Sequence, residues 1–217
     1  MINAGLPRGG VVALLGLALC GCAAPAPKPV TQLTPAACQT ALDLTAARPF
    51  PVGDDAPLLL DMNDTSPCLL SAGGSAERVQ LLRLPAPQPG YQVEIESLLH
   101  GKALFAVEAV VLDATGTPVR TLRHDRFVMR GDRLHGVLFV KSGPIAEPYL
   151  LLRSASGVVG QAAASTTSTY GTFTLINVAS AALLGAPLYH AVETEQTVTR
   201  VHNGRLRVSM KQADTAR

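Results

Sequence analysis

Four cysteines are the side chains with the widest chemistry open to them in this chain of 217 residues. They are Cys20, Cys22, Cys38 and Cys68. A thiol can be acylated, oxidised to a disulfide or bound to a metal ion. Neither Cys38 nor Cys68 belongs to a close cluster of cysteines and histidines, so we expect no metal site and no cofactor other than a covalent lipid.

The segment that precedes the first two cysteines has the layout of a secretory signal peptide. Arg8 is followed by an apolar run over residues 11–19. A stable transmembrane helix needs about 20 apolar residues, so this run is too short to span a bilayer. A basic start and a short apolar run indicate export from the cytoplasm.

The apolar run ends in Leu19-Cys20-Gly21-Cys22, which resembles the bacterial lipobox. The lipobox places a small residue directly before the acylated cysteine, and Gly21 meets that requirement for Cys22 only. We therefore expect residues 1–21 to be a lipoprotein signal peptide and Cys22 to carry the lipid. The alternative is an ordinary signal peptide that is cut after Ala24.

A lipid on Cys22 would hold the mature chain on the periplasmic face of a membrane, because several acyl chains together give stable anchoring. Ala23 rather than Asp follows the cysteine, which favours the outer membrane. Residues 22–32 are rich in proline and alanine and predict an extended tether.

Cys38 and Cys68 remain as an even pair in an oxidising compartment. We expect a disulfide between them. The alternative is two free, buried thiols.

The histidines give little support for catalysis or metal binding. No two of them have the spacing of a metal site on one helix face, and there is no HExxH or GxSxG motif. His124 next to Asp125 could form half of a catalytic pair, but Ser142-Gly143 and Ser156-Gly157 lack the rest of a nucleophile motif. We expect a protein that is not an enzyme. The five histidines are His100, His124, His135, His190 and His202.

Two further motifs resemble known binding sequences. Asp61-Met62-Asn63-Asp64 resembles the start of a calcium loop, but Ser66 and Ala72 occupy the glycine and glutamate positions, so an EF-hand is not predicted. We expect a solvated turn over residues 61–67. Arg130-Gly131-Asp132 is most simply a turn in a hairpin.

The composition excludes some partner classes. The net formal charge is only +2, which gives no reason to expect nucleic acid. The chain has no tryptophan, and aromatic residues make up 4% of it, which argues against a strong carbohydrate-binding module with an aromatic platform.

Short apolar runs separated by turns predict a mainly β chain. Residues 91–97 alternate apolar and polar side chains strictly, as a half-buried strand does. Asn203-Gly204 predicts a closing hairpin between strands over 197–201 and 206–210. Other strands are expected over 58–60, 79–84, 104–112, 119–122, 127–129, 134–140 and 149–152.

This pattern predicts one β-sandwich, of jelly-roll or immunoglobulin-like type, over residues 56–212. Residues 33–55 are expected to form a short helical lead-in. In that lead-in, Thr34 is a suitable N-cap and Pro35 a suitable first helical residue for one helix up to Leu44. Residues 213–217 form a tail.

Residues 154–192 contain no Asp, Glu, Lys or Arg. The first half, up to Gly171, is rich in small residues and is expected to be flexible. The second half, 172–189, is apolar and is expected to pack into the sandwich. The alternatives are an exposed surface that meets a partner or a membrane, and a membrane span that Asn177, Gly185 and Pro187 would interrupt.

Several of these elements, taken in order, resemble the maltose operon periplasmic protein family. A Leu84-Pro85 break precedes the alternating strand that ends in Ser97. An apolar strand that ends in Leu112-Asp113 follows, then Thr117-Pro118. The remaining matches are Asp132-Arg133-Leu134-His135-Gly136-Val137, Tyr149-Leu150-Leu151-Leu152 and Asn203-Gly204-Arg205-Leu206-Arg207-Val208.

The resemblance covers residues 79–155 well and 200–211 more loosely. It implies a periplasmic, non-enzymatic role linked to carbohydrate uptake. Together with the lipobox, it leads us to expect an envelope lipoprotein that supports maltose or maltodextrin uptake by binding a glycan or a transport component. It does not say which residues bind a ligand. The chain departs from the family in having a lipobox and in ending soon after the last strand. The alternative is a structural or assembly lipoprotein that docks on another envelope protein through residues 154–192.

Overall fold

The computed structural model describes residues 28–51, 57–86, 90–141, 148–171 and 190–212. The signal segment, Cys22 and the start of the proline-rich tether lie outside these residues, as does the tail. The described part is mainly β, as the sequence predicts. Its strands are β1 Arg48–Pro49, β2 Leu58–Met62, β3 Cys68–Leu70, β4 Ala76–Arg83, β5 Tyr91–Leu98, β6 Ala103–Phe105, β7 Val107–Leu112, β8 Pro118–Leu122, β9 Val128–Arg130, β10 Arg133–Val140, β11 Tyr149–Ser154, β12 Ala162–Gly171, β13 His190–Val201 and β14 Gly204–Gln212.

Two sheets form the sandwich. Sheet I has the order β1-β4-β11-β7-β8, and β3 also pairs with β4. Sheet II has the order β2-β14-β5-β10-β9. A third, three-stranded sheet joins β12, β13 and β6. Most pairs are antiparallel; β1 with β4 and β13 with β6 are parallel.

Sheets I and II enclose one apolar core. Strand β5 shows the reason most clearly, because its side chains alternate between buried and partly exposed along all eight residues. The strand predicted over 91–97 is thereby confirmed. The buried side chains of both sheets meet in a single cluster, whose largest fully buried members include Met62, Leu82, Ile95, Phe105, Leu150 and Leu206.

Sheet I is covered on both faces. Val79, Leu81, Val110, Leu112 and Leu151 form a second cluster on its outer face. Leu42, Leu44, Ala47 and Leu69 pack against that cluster. Burial on both faces explains why β7 and β11 are almost continuously apolar, whereas β5 alternates. The lead-in is therefore part of the folded domain, which extends further towards the N-terminus than residue 56.

The lead-in is not helical in the way the sequence predicts. It holds two three-residue 3₁₀ turns, Pro35–Ala37 and Leu44–Ala46, instead of one helix over 33–44. Between them the chain bends at residues 38 and 40–41, and Gln39 forms a parallel bridge to Leu69 on β3. A helix cannot continue through a residue whose backbone pairs with a strand.

The predicted hairpin at Asn203-Gly204 is also wrong. β13 and β14 follow one another along the chain, but β13 pairs with β12 and β6, whereas β14 pairs with β2 and β5. A two-residue type I′ hairpin needs positive φ at both central residues. Among the described residues only glycines have positive φ, so Asn203 does not meet that condition. The dipeptide instead turns the chain from the third sheet to sheet II.

The first half of the charge-free stretch is ordered, against our expectation of flexibility. Residues 156–158 form a 3₁₀ turn, and β12 pairs with β13 from Ala162 opposite Thr199 to Gly171 opposite His190. We call these two strands the β12–β13 ribbon. Residues 172–189, which were expected to pack into the sandwich, lie outside the described residues.

Two other predictions need correction. The run over 58–60 extends to Met62 and is only half buried, since Leu59 is exposed, so the predicted turn begins after Met62. The strand expected over 104–112 is divided at Ala106, whose backbone bonds to Val201 and Ala155. In the described residues, no helix is long and apolar enough to cross a membrane.

Candidate functional site

The disulfide predicted from the sequence is confirmed. Cys38 and Cys68 are bonded, with their Cα atoms 4.5 Å apart. Two backbone hydrogen bonds flank the bridge: the Gln39 amide donates to the Cys68 carbonyl, and the Leu70 amide donates to the Gln39 carbonyl, each at 2.8 Å. The disulfide and these bonds together fix residues 38–39 on the edge of β3.

The turn that joins β2 to β3 lies beside this bridge and is held by its own side chains. Asn63 Oδ1 accepts hydrogen bonds from the Thr65 amide at 2.9 Å and from the Thr65 hydroxyl at 2.6 Å. The Asn63 amide donates to Ser66 Oγ at 3.0 Å. The turn presents the Asp64 carboxylate, whose side chain is 87% exposed.

Arg78 on β4 forms hydrogen bonds with this turn. Its Nη2 donates to Asp64 Oδ1 at 2.7 Å, and its Nη1 donates to the Ser66 carbonyl at 2.9 Å. The Arg78 side chain is only 9% exposed. Its Nε is buried and has no hydrogen-bond partner among the described residues. Arg78 is therefore a buried cation with donor capacity left over, and Asp64 is the exposed half of the pair.

A buried Ser–His pair is hydrogen-bonded to the backbone amide of Arg78. The Arg78 amide donates to Ser154 Oγ at 2.9 Å, and Ser154 Oγ lies 2.7 Å from His202 Nδ1. Burial, and then the charge of Arg78, lowers the pKa of His202 below its ordinary value. The neutral imidazole is favoured, so Nδ1 can accept the Ser154 hydroxyl proton while Oγ accepts from Arg78.

A pocket of about 300 Å³ opens between the disulfide and the Asp64–Arg78 pair. We call it the disulfide pocket. Its lining includes apolar residues (Leu33, Ala37 and Pro67), the two cysteines of the disulfide, and polar residues (Thr34, Gln39, Asp64, Ser66 and Arg78). The volume is at the lower end of the range of small-molecule sites.

The polar lining residues suit an uncharged, hydroxyl-rich ligand. Asp64 can accept hydrogen bonds from ligand hydroxyls, and the guanidinium of Arg78 can donate to them. The charges of this ion pair cancel, so the pocket offers no net attraction to a free anion or cation. The apolar lining residues can contact the C–H groups of a ring. This combination of acceptor, donor and apolar surface is what a small sugar requires.

The structure does not assemble the catalytic pair considered from the sequence. His124 Nδ1 lies 3.1 Å from the Val107 carbonyl, and Asp125 pairs with Arg123 at 2.8 Å. Ser156 Oγ donates to Glu77 at 3.0 Å, and Ser142 lies outside the described residues. Burial lowers the pKa of His124, although its hydrogen bond to Val107 opposes that effect.

The other two motifs have structural roles. Asp61 pairs with Arg205 at 2.7 Å and Asp64 with Arg78, and no cluster of potential metal ligands occurs among the described residues. Arg130-Gly131-Asp132 is the turn between β9 and β10, in which Gly131 has a φ of 61°.

Sequence reasoning missed the residues that form the pocket and its support. Arg78 and Ser154 belong to strands that were identified from their apolar residues, so their polar side chains were not singled out. His202 directly precedes the Asn203-Gly204 dipeptide, which was interpreted only as a hairpin turn. Only the pairing of β3 with β4 and the disulfide bring Asp64, Arg78 and Gln39 together.

Comparisons with family models, with curated proteins and with solved structures find no match for this chain.

Proposed function

We propose that this chain is a non-enzymatic lipoprotein of the bacterial envelope that supports maltose or maltodextrin uptake by binding a glycan in the disulfide pocket. Acyl chains on Cys22 hold it on the periplasmic face, on the outer membrane. The observation that carries the proposal is the Asp64–Arg78 pair, in which a 9% exposed guanidinium lies beside a pocket of about 300 Å³. The ordered motifs that resemble the maltose operon periplasmic protein family supply the ligand class.

Among the residues that the structure describes, no aromatic side chain lines the pocket, and this limits the expected affinity. Sugar sites gain much of their affinity from stacking on aromatic rings. Here the hydroxyl contacts to Asp64, Arg78 and Gln39 provide most of the recognition. We therefore expect weak, saturable binding, with affinity in the range from millimolar down to tens of micromolar, about −4 to −6 kcal/mol.

Calorimetric titration of the mature chain with maltotriose tests the proposal. Asp64→Ala should weaken binding about tenfold or more, because a hydrogen bond to a charged group contributes about 1.5–3 kcal/mol. Asp64 is 87% exposed, but the variant leaves the buried Arg78 without its carboxylate, so its melting temperature is measured alongside the titration. Asp125→Ala is the control for loss of an exposed carboxylate away from the pocket, although its partner Arg123 is exposed and Arg78 is buried. Absence of saturable heat with the wild-type chain would reject glycan binding.

The lipid anchor is tested separately by mass spectrometry of the membrane-extracted protein. Cys22→Ser should give a precursor without acyl groups, whereas Cys20→Ser should be processed normally. Acyl groups on Cys20, or on neither residue, would reject the anchor.

One observation favours the second function, docking on another envelope protein through residues 154–192. Strand β12 has β13 as its partner, and only residues 199–201 of β13 pair with β6 on the body of the sandwich. A two-stranded ribbon is marginally stable by itself in water. A partner that packs on the β12–β13 ribbon would stabilise it.

A shortened variant tests this alternative. Replacing residues 164–197 with an Asn-Gly turn keeps the pair Ala163–Val198 and the pairing of β13 with β6. If the ribbon docks on a partner, the shortened chain should lose an envelope protein that the wild-type chain captures without sugar, and should retain its melting temperature. An unchanged capture would reject docking through this segment.

A further inference from the structure

The N-terminal segment that follows the proposed anchor is fixed to one end of the sandwich. Asn203 Oδ1 accepts from the Val30 amide at 2.8 Å, and Asn203 Nδ2 donates to the Lys28 carbonyl at 2.9 Å. The His202 amide donates to the Val30 carbonyl at 2.7 Å. Three hydrogen bonds thus hold residues 28–30 against the turn between β13 and β14.

The length of chain before this segment limits how far the domain can stand from the membrane. Cys22 is the sixth residue before Lys28. Six fully extended residues reach at most about 22 Å. If Cys22 is acylated, as the proposed function states, the point at which Lys28 meets the sandwich must lie within this distance of the lipid surface.

Several turns share this end of the molecule, which we call the Asn203 end. Gly204 pairs with Met62, next to the 63–66 turn, and Arg205 pairs with Leu98, next to the 99–102 turn. The Leu99 amide donates to the Asp132 carbonyl at 2.8 Å, so the β9–β10 turn lies here too. The 3₁₀ turn His124–Arg126 joins them through the bond of His124 to Val107.

The Asn203 end carries an excess of exposed positive charge. Lys28, Lys102, Arg126 and Arg130 are exposed and have no ion-pair partner among the described residues. The acidic side chains of the same turns are each paired with an arginine: Asp64 with Arg78, Asp125 with Arg123 and Asp132 with Arg133. Four cations are therefore available to an anionic surface at this end. Since Arg48, Arg83 and Lys141 are exposed near the opposite end, it is the attachment of residues 28–30 that selects the Asn203 end.

We infer that the Asn203 end faces the membrane and that Lys28, Lys102, Arg126 and Arg130 contact anionic phospholipid headgroups. The lipid anchor and the cations then act on the same end, and the opposite end, which carries the 113–117 turn, points into the periplasm. Strand β5, with eight residues at about 3.4 Å each, separates the two ends by about 27 Å.

Two threonines in equivalent turns make a matched pair of probe positions. Thr65 donates to Asn63 Oδ1 at the Asn203 end, and Thr115 donates to Asp113 Oδ1 at the opposite end. Both are exposed. The acylated mature chain, labelled with a fluorophore at Thr65→Cys or Thr115→Cys, is reconstituted in phosphatidylethanolamine–phosphatidylglycerol vesicles whose headgroups carry a quencher. The fluorophore at position 65 should be quenched strongly and that at position 115 little. Equal quenching, or stronger quenching at position 115, overturns the orientation.

The cations are tested with a lipid-free chain that begins at Ala23. Each cation near an anionic membrane surface strengthens partition by about fivefold. The variant Lys102→Gln/Arg126→Gln/Arg130→Gln should therefore bind phosphatidylglycerol vesicles on the order of a hundredfold more weakly at low ionic strength. Its control is Arg48→Gln/Arg83→Gln/Lys141→Gln, which removes the same charge from exposed positions near the opposite end. Equal loss in the two variants overturns the role of these cations.

Separate measurements distinguish a failure of this inference from a failure of the proposed function. Mass spectrometry of the reconstituted chain reports whether Cys22 is acylated, and calorimetry reports whether a sugar binds. If no acyl group is found, the anchor fails and the lipid-free arm alone decides whether the Asn203 end is the surface that meets the membrane.

Discussion

The side chain of Asn203 makes the hydrogen bonds with residues 28–30 that the backbone of a neighbouring strand would otherwise make. Its Oδ1 accepts from the Val30 amide and its Nδ2 donates to the Lys28 carbonyl, at 2.8 and 2.9 Å. A primary amide offers the same donor and acceptor as a peptide group, so it can close this end of the chain without a further strand. The residues on the two sides of these bonds are more than 170 positions apart in sequence.

Asn203→Ala should release the N-terminal segment. The change removes two hydrogen bonds and leaves the partly buried Val30 amide without its acceptor, which should cost about 1–3 kcal/mol in the free energy of unfolding. Hydrogen exchange at the Val30 amide should be faster in this variant than in the wild-type chain. Asn63→Ala is a control, because Asn63 bonds only within its own exposed turn. Unchanged exchange at Val30 would show that these bonds do not hold the segment.

Gly136 is required on β10 by the packing of the core. A Cβ atom at this position would lie 2.6 Å from Phe127 Cε1 and 2.9 Å from Leu122 Cδ2. Gly136→Ala should therefore destabilise the domain by about 1–3 kcal/mol through overpacking. Gly157→Ala, where a Cβ atom meets nothing within 4 Å, should leave the urea midpoint nearly unchanged. Equal midpoints for the two variants would contradict this packing.

The disulfide should contribute strongly to stability. It closes a loop with a sequence separation of 30 residues, for which chain entropy predicts about 3–4 kcal/mol. Cys38→Ala/Cys68→Ala should lose about this much in urea unfolding, and a reductant should lower the wild-type chain to the level of the variant. Alkylation of the unfolded, unreduced protein should modify neither cysteine. Modification of both would falsify the bridge in the protein as it is made.

The sequence predicted the strands better than their partners. Period-two alternation over 91–97 defined β5 because one face of that strand is buried and the other is not. The even count of cysteines predicted the disulfide because only Cys38 and Cys68 would remain free after the predicted export and acylation. The Asn203-Gly204 turn was misassigned, because a dipeptide signal does not say which sheet each flanking strand joins.

The candidate site was not predictable for the same reason. Asp64, Arg78 and Gln39 belong to three segments that meet only through the pairing of β3 with β4 and through the disulfide. Ser154, at the end of β11, and His202, in the turn between β13 and β14, likewise meet only in the folded chain. The separation of these residues along the sequence does not predict that they are in contact in the folded chain.

The two buried histidines should make stability fall on the acidic side of neutrality. Burial lowers the pKa of His202, as does the charge of Arg78. The pKa of His124 is also lowered, first by burial, against the pull of its bond to Val107. Between the ordinary value of 6.5 and the lower folded values, the unfolded chain binds more protons than the native chain. Stability is then full above about pH 6.5 and is lost as the pH falls, by at most about 1.4 kcal/mol per pH unit for each histidine.

Urea midpoints measured between pH 8 and pH 5 should show this loss in the wild-type chain. His202→Gln and His124→Gln should each reduce the slope below pH 6.5, and the double variant should be nearly flat in the range where carboxylates do not titrate. Gln at position 202 can still accept the Ser154 hydroxyl, so the change in slope reports the lost titration rather than a lost hydrogen bond. A double variant that keeps the wild-type slope would show that other groups carry the pH dependence.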